Sequence, residues 1–416
     1  MSVEPAAHPS NPTIPTPAPG NSFGIHSITG EYIQKKLYHI GGRILTLLFI
    51  CGIFASFSAY SGAFFRMSIV WANDVRHGVP ELLYLLPLGG ILIALLYKKY
   101  KTDTRNAFTI MSEAVQTNKT IPTCAAPLIW VSSVITHLFG GSSGCEAASL
   151  LIGGGMASTA GRWFHLNRED THALILCSMA AAFTPLLGTP VAAALFVVEL
   201  TRSFNFNRLC LTTISAIIAY AAVAPLNLHP VQFDLPKLEY SAILVAQVLI
   251  VTAASGLSAG LFTQSIDGIA RLVNYSRRPV FAIVLGAIAV VGLSLILGTS
   301  NYNGLGLDVI AQALHGISRP DAFIWKLVLT AITLGVGFKG GQIVPAFFIG
   351  ATLGSTISGV IGLNVSLGAA IGLIAVFAAV VKCPLTALVL SVEIFGFSAL
   401  PLFALSCGAL RIISRK

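Results

Sequence analysis

Charged residues are scarce in this chain: Asp, Glu, Lys and Arg together make up 10% of its 416 positions. A soluble domain carries about 25% charged residues, and 55% of this sequence is hydrophobic, which excludes a soluble protein. The mean hydropathy of +0.81 agrees. Apolar runs long enough to cross a bilayer recur between Ile44 and Ile412, in roughly a dozen to fifteen helical segments. The composition therefore predicts an all-α polytopic membrane protein.

Paired cysteines and closely spaced histidines are also missing. The seven cysteines are scattered, mostly through apolar runs, and no two histidines follow the His-x-x-x-His spacing of a metal site. Small buried side chains explain such cysteines better than disulfides do. We therefore expect neither a metal nor a cofactor.

The net charge of +9 is grouped in short basic clusters beside apolar runs. The positive-inside rule places these clusters, and with them both termini, in the cytoplasm of a multi-pass inner-membrane protein, without a nucleic-acid partner. Six prolines among residues 1–20 indicate a disordered Pro-rich tail over residues 1–30, followed by a membrane transport domain over 31–416. The clusters are Lys35, Lys36 and Arg43; Lys98, Lys99 and Lys101; and Arg411, Arg415 and Lys416.

Two pairs of segments repeat in the same order and at nearly the same offset. "TPVAAALFVVE" (Thr189–Glu199) matches "CPLTALVLSVE" (Cys383–Glu393), and "GCEAASLLIG" (Gly144–Gly153) matches "GQIVPAFFIG" (Gly341–Gly350). Agreement of order and spacing indicates a duplication, with repeat halves at about 80–225 and 240–412. Halves that each cross the membrane an odd number of times are inverted, as in many secondary transporters, whose sites lie where broken helices meet.

The Gly-rich breaks before the second pair of segments are candidate anion sites. A helix that begins inside the membrane points free N–H groups and a positive dipole end into the protein, which favours an anion. Small residues there let the backbone approach a ligand closely. The expected anion-binding residues are Gly144, Cys145, Ala147 and Ala148 in the first half and Gly341, Gln342, Ile343 and Val344 in the second.

Glu146 is the carboxylate that stands inside the first break. In an anion pathway it can occupy the anion site itself, and its protonation would release it, so we expect Glu146 to be a gate that also transfers protons. The alternative is a structural carboxylate that caps its helix or bonds to Ser142 or Ser143. For Glu199 and Glu393, which end equivalent helices in the two halves, we expect a structural cap or interface role. Lys339 and Lys382 are expected at the membrane surface or snorkelling.

At these residues the chain resembles the CLC family of chloride channels and proton-coupled anion transporters. "GCEAA" (Gly144–Ala148) corresponds to the family's Gly-Arg-Glu-Gly-Pro gate motif, and "GGQIVP" (Gly340–Pro345) corresponds to its Gly-Gly-Ile-Phe-Ala-Pro anion loop. The resemblance implies a CLC-type inverted-repeat bundle with broken helices, which forms a homodimer with one pore per subunit.

"THLFGGSSG" (Thr136–Gly144) and "GFKGGQIVPAFFIGATLG" (Gly337–Gly354) look most like the fluoride/proton antiporter branch. That resemblance implies export of fluoride in exchange for protons, with Phe347 and Phe348 lining the pore. It also places Arg105 or Asn106 nearest the anion, and Asn106 is the candidate. The chain departs from the branch at Gln342, where Glu is usual, and at Val344, where Thr is usual. Leu200 stands at the internal proton-transfer Glu of the chloride exchangers.

Three alternatives stay open on the sequence. The first is a passive chloride or fluoride channel of the same fold, favoured by the missing second proton-handling carboxylate. The second is an intramembrane serine protease, because "GSSG" (Gly141–Gly144) fits a rhomboid-type motif that pairs a Ser with a His. The third is a paralogue that folds without transporting. The candidate histidines for the protease, all after Ser143, are His165, His172, His229 and His315.

Overall fold

The computed structural model describes residues 25–101, 105, 107–117, 119–202, 204–228, 232–236, 239–276 and 278–413, with side chains from residue 49 onward. Two compact units divide the chain, Met1–Leu48 and Phe49–Lys416. The helical residues before 49 belong to the first unit, and all contacts given below lie within the second. The candidate Asn106, His229 and the predicted tail up to residue 24 lie outside the described residues.

The described residues include sixteen α-helices and two short 3₁₀ segments, Pro80–Leu85 and Ala224–Leu226. This is one helix more than the upper end of the sequence-based count, because short helices such as α11 lack the length of a span. In chain order the helices are α1 (Ile25–Gly78), α2 (Leu86–Tyr100), α3 (Ala107–Thr117), α4 (Ala125–Leu138), α5 (Glu146–Trp163), α6 (Arg168–Leu187), α7 (Pro190–Leu200), α8 (Phe206–Val223), α9 (Ala242–Ser276), α10 (Pro279–Leu297), α11 (Leu307–Leu314), α12 (Ala322–Gly335), α13 (Ile343–Ile361), α14 (Val365–Val381), α15 (Pro384–Phe395) and α16 (Leu400–Ile413).

Helices of matching length occupy equivalent places in α1–α8 and α9–α16. Both α4 and α12 have 14 residues and are followed by a break, and the helices after the breaks, α5 and α13, have 18 and 19 residues. The Pro-to-Glu segments form α7 and α15, of 11 and 12 residues. The duplicated segments of the sequence therefore fold into equivalent helices, as an inverted-repeat bundle requires.

Seven of the described helices are long and apolar enough to cross a membrane, and six further apolar helices have only 10 to 17 residues. The most apolar span, α10, has a mean hydropathy of 2.9. The short apolar helices include α4, α7, α12 and α15, which flank the breaks and the matched Pro-to-Glu segments. Half-helices of this kind are tolerated at membrane depth only where other parts of the protein satisfy their free backbone groups.

The pair α7–α15 shows how the two halves satisfy each other. Glu393, near the end of α15, accepts hydrogen bonds from the backbone N–H groups of Val191 (3.0 Å) and Ala192 (2.8 Å) at the start of α7. Reciprocally, Glu199 accepts from Leu385 N (3.1 Å) and Thr386 N (2.8 Å) at the start of α15. Each helix start is thus capped by the carboxylate that ends the other, so the helices are antiparallel, and the structural role expected for both glutamates is confirmed.

Helices α13 and α14 of the second half approach each other through facing glycines. A Cβ added to Gly350 would overlap the carbonyl oxygen of Gly372, and one added to Gly354 would overlap that of Gly368. Each helix therefore carries glycines four residues apart on the contact face, the small-residue spacing that drives close packing of helices in lipid. This packing fixes the start of α13, which forms one side of the candidate site.

Candidate anion site where two helix starts meet

The two Gly-rich breaks meet as a short antiparallel bridge. Gly144 N donates to Gly341 O over 2.7 Å, and Gly341 N donates to Gly144 O over 2.6 Å. Helix α5 begins at Glu146 and helix α13 at Ile343, each two residues after its bridging glycine. The prediction that both breaks open helices is confirmed, and their N-termini lie beside one another across the bridge.

Glycine is required at the bridge because the two backbone segments leave no room for a side chain. A Cβ on Gly144 would lie 2.5 Å from Glu146 Oε2 and 3.2 Å from Gly341 O. A Cβ on Gly340 would overlap the Ser143 hydroxyl. The glycines therefore permit an approach close enough for the backbone itself to contact a small ligand.

Glu146 connects the two helix starts. Its side chain is 1% exposed, and its Oε2 atom accepts a hydrogen bond from Val344 N, in the first turn of α13, at 3.3 Å. The Cys145 thiol donates to Oε1 at 3.6 Å. Neither serine considered as its partner is bonded to it: Ser142 Oγ bonds to Tyr302 O and Thr330, and Ser143 Oγ faces His137. The carboxylate thus caps the helix of the opposite half.

Most of the predicted anion-binding residues lie together around this carboxylate. A Cβ on Gly341 would lie 3.2 Å from Ala147 N and 3.3 Å from Glu146 N, so the first amides of α5 face the opposite break. The described residues of the predicted set are all buried, including the polar Gln342, which is 8% exposed. These residues are Gly144, Cys145, Ala147, Ala148, Gly341, Gln342, Ile343 and Val344.

The two candidate pore phenylalanines point into different surroundings. The Phe347 ring lies 5.2 Å from that of Phe377 in α14. The Phe348 ring stands edge-on to Tyr302, 6.2 Å away, and lies 5.1 Å from Lys326 Nζ. Both side chains are at most 4% exposed, and neither lines the large cavity beside the site. Their role in lining a pore stays a prediction.

A cavity of about 920 Å³ reaches the second break at Gln342. Its wall includes Lys339, which was expected at the membrane surface or snorkelling but is only 4% exposed. The Lys339 ammonium lies 4.4 Å above the Tyr97 ring and donates to Arg105 O at 3.4 Å. The basic side chains of the wall outnumber the acidic ones, Glu199 and Asp267. The basic side chains are those of Lys98, Lys101, Arg105, Arg202, Arg271, Lys339 and Lys382. The cavity is therefore electropositive.

Two buried basic residues near the breaks escaped the sequence analysis. His137, 0% exposed, places Nδ1 2.7 Å from Ser133 O and Nε2 3.1 Å from Ser143 O. Lys326, also 0% exposed, donates to the carbonyl oxygens of Tyr302 and Gly304. A lysine inside the apolar run of α12 was the available signal, since an ionisable residue at membrane depth is a candidate for function.

The histidine that contacts Ser143 is not one of those proposed for a protease. His137 Nε2 lies 3.4 Å from Ser143 Oγ, whereas His172 bonds to Val115 O and His315 packs against Phe233. Ser143 is fully buried and lines neither the cavity that reaches Gln342 nor the cavity beside His165 and His172. Within the described residues, no group of three or more His, Cys, Asp or Glu side chains is placed to hold a metal ion.

Comparisons with known proteins agree with this geometry. The family model described as voltage-gated chloride channel matches residues 89–415. A chloride/fluoride channel protein of Pseudomonas syringae pv. tomato is 31% identical over 379 residues, which cover 88% of this chain and 84% of that protein.

Solved structures share the same arrangement of helices. The crystal structure of a CLC-type fluoride/proton antiporter superposes with a TM-score of 0.84 at 28% identity, covering 89% of this chain and 96% of that one. The structure of a slow cyanobacterial Cl⁻/H⁺ antiporter superposes with a TM-score of 0.76 at 16% identity, covering 89% and 94%, which is a likeness of fold alone. The two helix starts, the carboxylate between them and the matched residues lead to one assignment: this chain belongs to the voltage-gated chloride channel, or CLC, family of membrane anion channels and transporters.

Proposed function

We propose that this protein exchanges fluoride for protons and exports fluoride from the cytoplasm, with Glu146 as the gate. The observation that carries the proposal is the hydrogen bond from Val344 N to Glu146 Oε2, made across the Gly144–Gly341 bridge. A carboxylate that one half of the protein inserts into the helix start of the other half occupies the position in which that start would hold a free anion.

Exchange follows from competition for the same amides. While it is ionised, Glu146 satisfies the positive end of α13 and excludes an anion. Protonation removes the negative charge, weakens the carboxyl group's hold on Val344 N–H, and leaves those amides to a fluoride ion. An anion therefore enters only after Glu146 has taken up a proton, and the carboxylate returns to the amides only after the anion has left and the proton has been released. Exchange results when Glu146 takes up its proton from the side to which fluoride leaves and releases it to the side from which fluoride enters. The site would use the backbone amides of Gln342 and Ile343 together with those of Ala147 and Ala148.

The electropositive cavity is the proposed route to this site from the cytoplasm. Its basic side chains raise the local concentration of anions, and Gln342 joins its wall to the second break. Lys98 and Lys101 line the same cavity and belong to a cluster that the positive-inside rule assigns to the cytoplasm, together with both termini. We include Asn106 as an anion contact, and Phe347 and Phe348 as pore residues.

Fluoride is proposed as substrate because of the relatives. The curated relative is named for both chloride and fluoride, and the solved structure with the TM-score of 0.84 is a fluoride/proton antiporter. The resemblance to that branch also supports a homodimer in the inner membrane. Gln342 and Val344, where that branch usually has Glu and Thr, are the positions at which fluoride preference over chloride would be weakened.

The test is anion efflux from liposomes that contain the purified full chain, followed with fluoride- and chloride-selective electrodes, with and without a protonophore. We expect fluoride efflux to move protons in the opposite direction, and Glu146→Gln to reduce that proton movement at least tenfold while anion flow persists or changes. Glu113→Gln is the matched control, because Glu113 is a surface carboxylate paired with Arg105 and Lys119. Unchanged proton-coupled transport in Glu146→Gln would refute the gate.

A passive anion channel is the second candidate, and Leu200 favours it. This apolar side chain lines the cavity where the chloride exchangers carry an internal proton-transfer Glu, and neighbouring Glu199 is committed to the amides of α15. A channel would carry a large anion current with no proton movement against an imposed anion gradient. That result would replace exchange by conduction while leaving the anion site in place.

A further inference from the structure

Lys326 is a cation enclosed in the helix bundle without a carboxylate as direct partner. Its side chain is 0% exposed, and Nζ donates to Tyr302 O (3.1 Å) and Gly304 O (2.7 Å) and lies 5.1 Å from the centre of the Phe348 ring. Within the described part of the chain, its contacts are two carbonyl dipoles and one aromatic face. An ammonium at membrane depth is costly unless its charge is used or balanced nearby.

The contacts of Lys326 lead to both helix starts. Tyr302 O also accepts from Ser142 Oγ at 2.9 Å, and Ser142 lies two residues before the bridging Gly144. Phe348 lies in the first turns of α13, four residues after Val344, whose N–H meets Glu146. The Lys326 ammonium is therefore connected to the first break through Tyr302 O, which also bonds to Ser142, and to the second break through the Phe348 ring.

Lys326 does not line the large cavity that reaches Gln342. On α12 it lies eight residues before Leu334, a cavity-lining residue, and thus about 12 Å from it along the helix axis. Because its N–H groups are directed at carbonyls and a ring, Lys326 acts on the site through its charge rather than as a ligand of the anion.

The buried charged side chains around Lys326 and the two breaks are mostly positive. Lys326 is attracted by Glu146 and repelled by Arg76, a 3% exposed residue of α1. Within the described residues the fully buried cations around the breaks thus meet one fully buried carboxylate, Glu146. Two other titratable groups face this pair: His137 from α4 is repelled by Lys326, and Cys145 before α5 contacts Glu146. Arg66 from α1 interacts with Cys145.

We propose that Lys326 is a positioning residue of the gate, a buried ammonium whose charge holds the Glu146 carboxylate ionised and seated on α13. The inference rests on the proposed function, since it takes Glu146 as the gate. A nearby cation favours the charged form of a carboxyl group. Without that cation Glu146 takes up its proton at a higher pH, so the gate opens at a higher pH and the pH–rate profile shifts in the alkaline direction.

The experiment compares pH profiles of fluoride efflux between about pH 4.5 and 8 for the full chain and its Lys326→Met variant in liposomes. We expect the midpoint to rise by about half a unit to one unit, the size of a charge effect at moderate distance. Lys326→Gln, which keeps a donor for one carbonyl, is the second variant in case Lys326→Met fails to fold, as judged by gel filtration. Lys119→Met removes an exposed lysine paired with Glu113 and should leave the midpoint unchanged.

A double substitution separates a charge effect on the gate from a general structural effect. In the Glu146→Gln background, which has no carboxyl group to titrate, Lys326→Met should produce no shift. An unchanged midpoint in the folded single variants, or an equal shift in both backgrounds, would overturn the inference. If instead Glu146→Gln keeps full proton coupling, the proposed function itself fails, so the two failures are distinguishable.

Discussion

Replacing Glu393 by alanine should destabilise the protein by leaving the start of α7 without a cap. Neither α7 nor α15 has a side-chain cap from its own N-terminal residues, so the opposite carboxylate supplies it. Glu393 accepts two backbone N–H groups, and Glu199 accepts two N–H groups and the Thr386 hydroxyl at 2.7 Å. The larger number of hydrogen bonds predicts the larger loss for Glu199.

The magnitude follows from the bond count. A hydrogen bond to a charged group contributes about 1.5–3 kcal/mol when buried, and both carboxylates are partly exposed, so about 1 kcal/mol per bond is expected here. Glu393→Ala should then lower the free energy of unfolding by about 2 kcal/mol and Glu199→Ala by about 3 kcal/mol. Glu393 caps the start of α7 and Glu199 lies near its end, so the 11-residue helix separates the two caps by about 16 Å. Because sites this far apart act independently, the two losses should add to within about 0.5 kcal/mol in the double variant.

The assay is reversible unfolding in mixed micelles of a mild detergent and sodium dodecyl sulfate, followed by tryptophan fluorescence and circular dichroism. Glu113→Gln, on the exposed face of α3, serves as control and should leave the midpoint unchanged. If Glu393→Ala moves the midpoint no further than this control does, the reciprocal capping of α7 and α15 is not a source of stability. A loss for Glu199→Ala smaller than for Glu393→Ala would refute the bond count.

Further predictions concern the site and the cavity. Gly341→Ala puts a Cβ 3.2 Å from both Ala147 N and Glu146 Oε2 and should lower fluoride efflux at least tenfold in a protein that still elutes as wild type; efflux within twofold of wild type would contradict it. Gln342→Glu adds a negative charge beside the second break and should change the fluoride-to-chloride ratio measured with paired electrodes, and an unchanged ratio would remove Gln342 from selectivity. Lys339→Gln should slow efflux severalfold at low ionic strength and less at about 0.5 M salt, where charges are screened within a few ångströms; a salt-independent effect would indicate a packing role instead.

Several parts of the site could be predicted because they depend on local chemistry. Glycines that interrupt an apolar run mark a break, and a helix that starts after such a break has free amides whatever surrounds it. The matched Pro-to-Glu segments predicted two equivalent helices, each with a carboxylate at its end. These features needed no knowledge of which residues come together in space.

Other parts depended on contacts between residues far apart in sequence. That Glu146 bonds to Val344 N rather than to Ser142 or Ser143 depends on the bridge between Gly144 and Gly341, which no local pattern encodes. The same holds for His137, which the fold places against Ser143 although the motif suggested a later histidine.

By itself the sequence determined a polytopic helical membrane protein, its duplicated halves and the two breaks, since hydropathy and spacing govern where helices form and stop. Only the tertiary structure decided which helix start receives which carboxylate, and that Lys326 and Lys339 are buried rather than at the surface. The physical reason is that an orphan amide or a desolvated charge needs a partner, but packing of the two halves selects that partner from residues almost 200 positions away.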